Sequence, residues 1–177
     1  IALMVVVLDN LRSVYNVGSI FRTADAAGVR RVCLCGITPT PIDRFGKKRR
    51  DFIKVSLGAE DYVLWEGRKS TVETIKQLKG EGYKIFAIEQ AKNSMPYYKI
   101  SKKDFDFEKT ALVLGNEVDG LSGAVLRRVD KILEVPMRGA MVRQAHHPRH
   151  LGRGKESLNV AVVFGIIIYY LKSVGYN

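Results

Sequence analysis

The chain has 177 residues, 46% of them hydrophobic and 27% charged, with a mean hydropathy of −0.05. That balance excludes a disordered chain and a chain of membrane spans, and the length suits one domain with a real core. Lys and Arg number 29 against 18 Asp and Glu, a formal net charge of +11, so a polyanion, nucleic acid first, is the partner to consider; a merely solvated basic surface is the plain alternative.

The apolar opening, residues 3–8, reads as a first strand and lacks the basic n-region and small-residue cleavage site of a signal peptide. A helix is predicted over 16–27, stopping at Gly28. The next strand, 32–35, holds both cysteines, Cys33 and Cys35. They are too few for a disulfide framework, and alternation points both to one face, so packing in a reducing cytoplasm is expected rather than metal or redox work. The following stretch carries Pro39, Pro41 and then Lys47, Lys48, Arg49 and Arg50. It reads as a surface loop, either solvated or binding RNA phosphates with Phe45 offered for a base to stack on.

A weaker strand is predicted over 62–65, and a helix over 70–79 opens with Ser70 and Glu73 at capping-box spacing and closes at Gly80. Strands are expected over 84–88, 111–114 and 132–135, with a loop at 90–108 that includes Met95, Pro96, Tyr97 and Tyr98. The apolar run 158–171 is shorter than the roughly 20 residues of a membrane-spanning helix and reads as a buried helix. Strands rich in Val and Ile and bracketed by helices predict an α/β fold: a mostly parallel sheet with helices on both faces. With no internal repeat or linker, a single domain over 1–177 is expected.

Three segments carry a resemblance. Residues 8–28 hold Asn16, Gly18 and Arg22 as Asn-x-Gly-x-x-x-Arg; residues 111–122 run from an apolar strand into Gly115, Glu117 and Gly120 as Gly-x-Glu-x-x-Gly. The third is split between Ile-Leu-Glu-Val-Pro-Met-Arg-Gly at 132–139 and Ser-Leu-Asn-Val-Ala-Val at 157–162. In order, spacing and strand context these resemble the SpoU (TrmH) family of RNA 2'-O-ribose methyltransferases, part of the SPOUT superfamily. The resemblance implies an alpha/beta knot, in which a C-terminal trefoil knot holds S-adenosylmethionine. It also implies a cytoplasmic homodimer that builds its active site at the subunit contact and methylates a ribose 2'-hydroxyl of tRNA or rRNA. Neither a membrane nor a metal is expected.

The same resemblance distributes the roles. Arg22, Asn16, Glu117 and Asn159 take the catalytic positions, and Ile88, Gly115, Val135, Met137, Ser157 and Leu158 the cofactor contacts. Arg22 matches the residue that activates the hydroxyl; because guanidinium is effectively never deprotonated, stabilising the developing alkoxide or fixing the adjacent phosphate is the better chemistry for it. Each position also has a plain reading. Arg22 can project into solvent; Asn16 can cap its helix. Glu117 can hold Arg22 or Asn159, or cap the next helix. Gly115 can be a turn glycine, the apolar four can be core, and Ser157 with Asn159 can cap the last helix.

All three histidines, His146, His147 and His150, fall within 140–154. Removing that stretch restores an uninterrupted third motif, and Arg-Gly stands at both borders, at 138–139 and 153–154. An insertion in the knot loop is inferred. Metal binding, RNA contact and a tolerated excursion all remain open for it. The competing function is therefore a catalytically impaired, basic RNA-binding dimer of the same fold.

Overall fold

The computed structural model describes residues 4–137 and 158–176. Its organising element is β1 (Val5–Asp9), a run of branched residues buried on both faces, as a central parallel strand must be. It pairs in parallel with β2 (Arg31–Cys35) on one side. On the other it pairs with β6 (Thr110–Gly115). The remaining strands are β3 (Leu64–Arg68), β4 (Lys84–Ile88), β5 (Met95–Pro96) and β7 (Lys131–Glu134). Together they form a seven-stranded sheet of order β3-β2-β1-β6-β4-β7-β5, every pair parallel.

Helices cover both faces. Val6 and Leu8 of β1 join one core with Val17, Ile20, Phe21 and Ala24 of α1 (Val14–Ala27), Phe52 of α2 (Arg50–Ser56), and Phe164, Ile167, Ile168 and Leu171 of α5 (Val160–Tyr176). Val5 and Val7 point the other way, into a second core with Ile75 and Leu78 of α3 (Thr71–Gly80) and Val125 of the short α4 (Gly123–Leu126). Cys33 and Cys35 share that second core, as alternation predicts. Burial lifts the Cys33 thiol to about 12, with Glu66 beside it adding to the shift, so it is an inert packing group. Phe164 is fully buried, and trimming it to Ala would cost about 3–5 kcal/mol.

Several expected boundaries move. The first helix starts at Val14 rather than 16, because Ser13 caps it by accepting the Asn16 amide at 3.2 Å; the left-handed Gly28 ends it as expected. Ser70 caps α3, but the helix runs through Gly80, and Gly82, at φ 84°, makes the turn instead. The edge strand β3 lies two residues beyond the predicted 62–65. Register with β2 fixes it at Leu64, and Tyr62 is left 81% exposed outside it. The expected loop at 90–108 hides β5, two residues paired to β7. The last helix, predicted over 158–171, is Val160–Tyr176. Among the described residues no helix is long and apolar enough to cross a membrane.

Candidate active site

In a parallel sheet the carboxyl ends of all strands face one way, and ligand-binding loops gather there. Here the loop leaving β6 is held in shape by its own backbone. A Cβ at Gly115 would lie 2.6 Å from the Gly120 carbonyl carbon, so glycine is required by the loop folding back on itself. Asn116 Oδ1 accepts the Val118 and Asp119 amides at 2.9 and 2.8 Å. Glu89, the residue after β4, closes the loop from below by accepting the Leu121 amide at 2.8 Å.

This loop presents Glu117. Its Oε1 accepts a short hydrogen bond from Asn16 Nδ2, and Asn16 Oδ1 in turn accepts from Asn159 Nδ2 at 2.9 Å. Asn159 Oδ1 also accepts the Ala161 amide at 2.9 Å and so caps α5. Three residues separated widely in sequence are thus joined in one chain of hydrogen bonds spanning α1, the β6 loop and the head of α5. The expected cap role passes from Asn16 to Ser13, and Glu117 holds Asn16 rather than Arg22 or the next helix.

Beside this chain of bonds lies a cavity of about 250 Å³. Ile88, Gly115, Val135, Met137 and Leu158, the expected cofactor contacts that fall within the described residues, all line it. Ser157 and the 140–154 segment lie outside the described residues. Sequence reasoning missed Glu89, Asp119, Glu134, Val160 and Val163, which also line the cavity. Glu89 and Glu134 close strands β4 and β7, so the strand-end rule that picked out Glu117 would have found them. The described lining holds four carboxylates and neither Lys nor Arg.

Arg22 is elsewhere. It is exposed on α1, in a shallow depression shared with Ser19, Thr23, Ala26, Lys54, Val55 and Tyr169. It takes no part in the Asn16–Glu117 cluster within this chain.

The basic loop divides into paired and unpaired cations. Asp43 Oδ1 accepts the Phe45 and Lys47 amides at 2.8 and 2.9 Å, which fixes a turn whose tip exposes 72% of Phe45 with the Arg44 guanidinium 4.8 Å above its ring. Lys48 is paired with Asp61 at 2.7 Å, and that hydrogen bond raises its pKa. Arg49 is paired with Asp51 at 2.8 Å, which holds the Asp51 carboxyl below its usual range. Of the four basic residues expected to meet RNA, Lys47 and Arg50 are the exposed pair without such a carboxylate among the described residues.

Comparison with known proteins gives the family. The model of the SpoU rRNA Methylase family matches residues 3–143, and the chain belongs to that family. It is 32% identical over 95% of its length to a 23S rRNA (guanosine-2'-O)-methyltransferase of Bacillus subtilis, covering 57% of that protein. It is 29% identical over 94% of its length to a tRNA (guanosine-2'-O)-methyltransferase of Aquifex aeolicus, covering 67% of it. The chain therefore spans between 57% and 67% of the length of these relatives. The fold matches that of an AdoMet-bound rRNA methyltransferase from Sinorhizobium meliloti with a TM-score of 0.78 at 24% identity, over 97% of this chain and 56% of that one.

Proposed function

We propose that this chain transfers a methyl group from S-adenosylmethionine to a ribose 2'-hydroxyl of tRNA or rRNA. The observation that carries the reading is the meeting of Asn16, Glu117 and Asn159 in one hydrogen-bonded chain at the rim of a cavity with apolar walls and four carboxylates. The described lining fits S-adenosylmethionine: the apolar side chains suit an adenine ring, and four carboxylates with neither Lys nor Arg among the described lining residues suit a ligand bearing sulfonium and ammonium charges. Bound there, the cofactor supplies an electrophilic methyl carbon. Ile88, Val135, Met137 and Leu158 would hold its adenosine, and Gly115 the loop that floors it.

The rest of the task is alignment and charge. The 2'-hydroxyl would have to be aligned with that methyl carbon and relieved of its proton, which solvent or a carboxylate at the cavity rim would accept. Arg22 stabilises the developing negative charge or fixes the neighbouring phosphate. Because Arg22 stands apart from the cavity in its own chain, we place it at a homodimer contact. Exposed apolar side chains on α1 and α5 support that: Tyr169, which shares the depression with Arg22, is 49% exposed, and Tyr15 and Val162 are 65% and 52% exposed. Relatives' names support tRNA or rRNA as substrate.

The residues on either side of 138–157, namely Val135 and Met137 before and Leu158 and Val160 after, line the same cavity. This supports a trefoil knot at the C-terminal end, within a single domain interrupted by an insertion at 140–154. Two free, buried cysteines suit a cytoplasmic protein. Incubating the chain with unmodified tRNA and rRNA and with methyl-labelled S-adenosylmethionine, then digesting to nucleosides, tests the reading. Label on ribose oxygen is expected. Cofactor-free RNA binding with no transfer would favour the impaired binder instead.

A further inference from the structure

We propose that Arg12 is the phosphate anchor that passes RNA from the basic half of the sheet edge to the cavity, and that Asp119 holds it aside until RNA arrives. The inference rests on the RNA reading above. Its starting point is register. Asp9, the last residue of β1, lies opposite Cys35 of β2 on one side and Gly115 of β6 on the other. The loop from Asn10 to Ser13 therefore emerges between the basic loop that follows β2 and the carboxylate-bearing loop that follows β6. Arg12 is the cation on that boundary.

Both ends of the contact are held. On one side Asn10 adopts φ 54°, its Oδ1 accepts the Ile37 amide at 3.2 Å, and the next residue, Leu11, is fully buried with its amide donating to Thr38 Oγ1 at 3.2 Å. On the other side the Asp119 amide is fixed by Asn116. Between these anchors the Arg12 guanidinium faces the Asp119 carboxylate at 3.6 Å, with the two side chains 60% and 68% exposed. A pair so long and so exposed is weak and screened by salt. A phosphate offers guanidinium a shorter, two-pronged contact and displaces the carboxylate easily.

The chemistry of the neighbourhood calls for such a residue. The described cavity lining is anionic, with Glu89, Glu117, Asp119 and Glu134, and repels an approaching RNA backbone. Among the described residues of the basic loop, the exposed cations without a carboxylate partner, Arg44, Lys47 and Arg50, lie beyond β2. A ribose that reaches the Asn16–Glu117 cluster from the basic loop crosses the border where Arg12 stands, four residues before Asn16.

The test measures binding of a fluorescein-labelled 20-nucleotide oligouridylate to the full chain across a potassium chloride series, with S-adenosylmethionine affinity measured separately by calorimetry. Arg12→Ala should weaken RNA binding about fivefold at low salt and flatten the slope of log affinity against log salt by about 0.7, the value for one phosphate on a single strand. Arg12→Lys should restore the slope, and neither variant should move cofactor affinity. Asp119→Asn should tighten RNA binding about threefold in wild type and not in the Arg12→Ala background. An unchanged slope in Arg12→Ala, or an Asp119→Asn gain that persists without Arg12, overturns the proposal. A wild type that binds the oligonucleotide yet methylates no RNA overturns the activity reading alone, whereas a wild type that methylates RNA with Arg12→Ala indistinguishable from it overturns this inference alone.

Discussion

The described loops at the two halves of the sheet's carboxyl edge differ in the charge they gather. Beyond β2 and β3 stand the exposed Arg44, Lys47, Arg50 and Lys69, with Phe45 at the tip of a turn fixed by Asp43. Beyond β6, β4 and β7 stand Glu117, Asp119, Glu89 and Glu134 around an apolar cavity. One parallel scaffold thus carries a cation-bearing loop and, a few strands away, a carboxylate-lined cavity, proposed above to meet RNA and S-adenosylmethionine. Net charge of +11 conceals this division. The lesson is that charge must be placed on strand ends before it says anything about ligands.

The largest expected effect comes from the residue that belongs to neither half. Arg22→Ala should lower the rate of methyl transfer about 100- to 1,000-fold, as loss of one donor to a developing oxyanion does, while S-adenosylmethionine affinity stays within twofold on calorimetry. Lys should rescue poorly because it lacks the planar fork. Near-normal turnover in Arg22→Ala would remove Arg22 from the proposed mechanism.

Gly115→Ala sharpens the comparison from the cofactor side. The new Cβ would lie within 2.8 Å of Gly120 and Leu121 backbone atoms, so the loop must move. Cofactor affinity should fall about tenfold or more, and the oligouridylate salt slope should not change. Loss of both would mean the halves are mechanically one unit.

On the basic half, the paired and unpaired cations should behave differently. Replacing Arg44, Lys47 and Arg50 with Ala should flatten the RNA salt slope by roughly 0.7 for each phosphate that is no longer neutralised. Replacing Lys48 and Arg49, already engaged by Asp61 and Asp51, should change it less. Equal effects of the two sets would show that RNA breaks those ion pairs.

How much of this was legible beforehand depends on what kind of signal each residue gives. β1, β2, β4 and β6 are buried on both faces and announce themselves as apolar runs. β3 and β5 lie at the sheet edges, where half-exposed residues give no such run, and only pairing with β2 and β7 defines them. Asn16, Glu117 and Asn159 could be named from motif resemblance, but their mutual hydrogen bonds join residues up to 143 positions apart and no spacing rule reports them. The pairing of Lys48 with Asp61 was hidden for the same reason: a basic run reads as free charge until the fold supplies a carboxylate. The Ser13 cap, by contrast, was within reach, since Ser three residues before Asn16 is an ordinary N-cap pattern.

The smallest effect is expected from deleting residues 140–154. The shortened chain regains an uninterrupted third motif, so stability should change by less than about 2 kcal/mol and cofactor affinity should stay equal or improve. A large gain in methyl transfer would show that the inserted residues obstruct the cavity, and unfolding would show that they are integral to the fold.

The division of the edge into an RNA half and a cofactor half is tested most directly by calorimetric titration of S-adenosylmethionine into the full chain and into its Arg44→Ala, Lys47→Ala, Arg50→Ala triple variant. The account predicts saturable binding of one cofactor per chain, with the same affinity in both proteins. Absence of binding to the folded chain at millimolar cofactor, or a loss of affinity on removing the three distant cations, would contradict it.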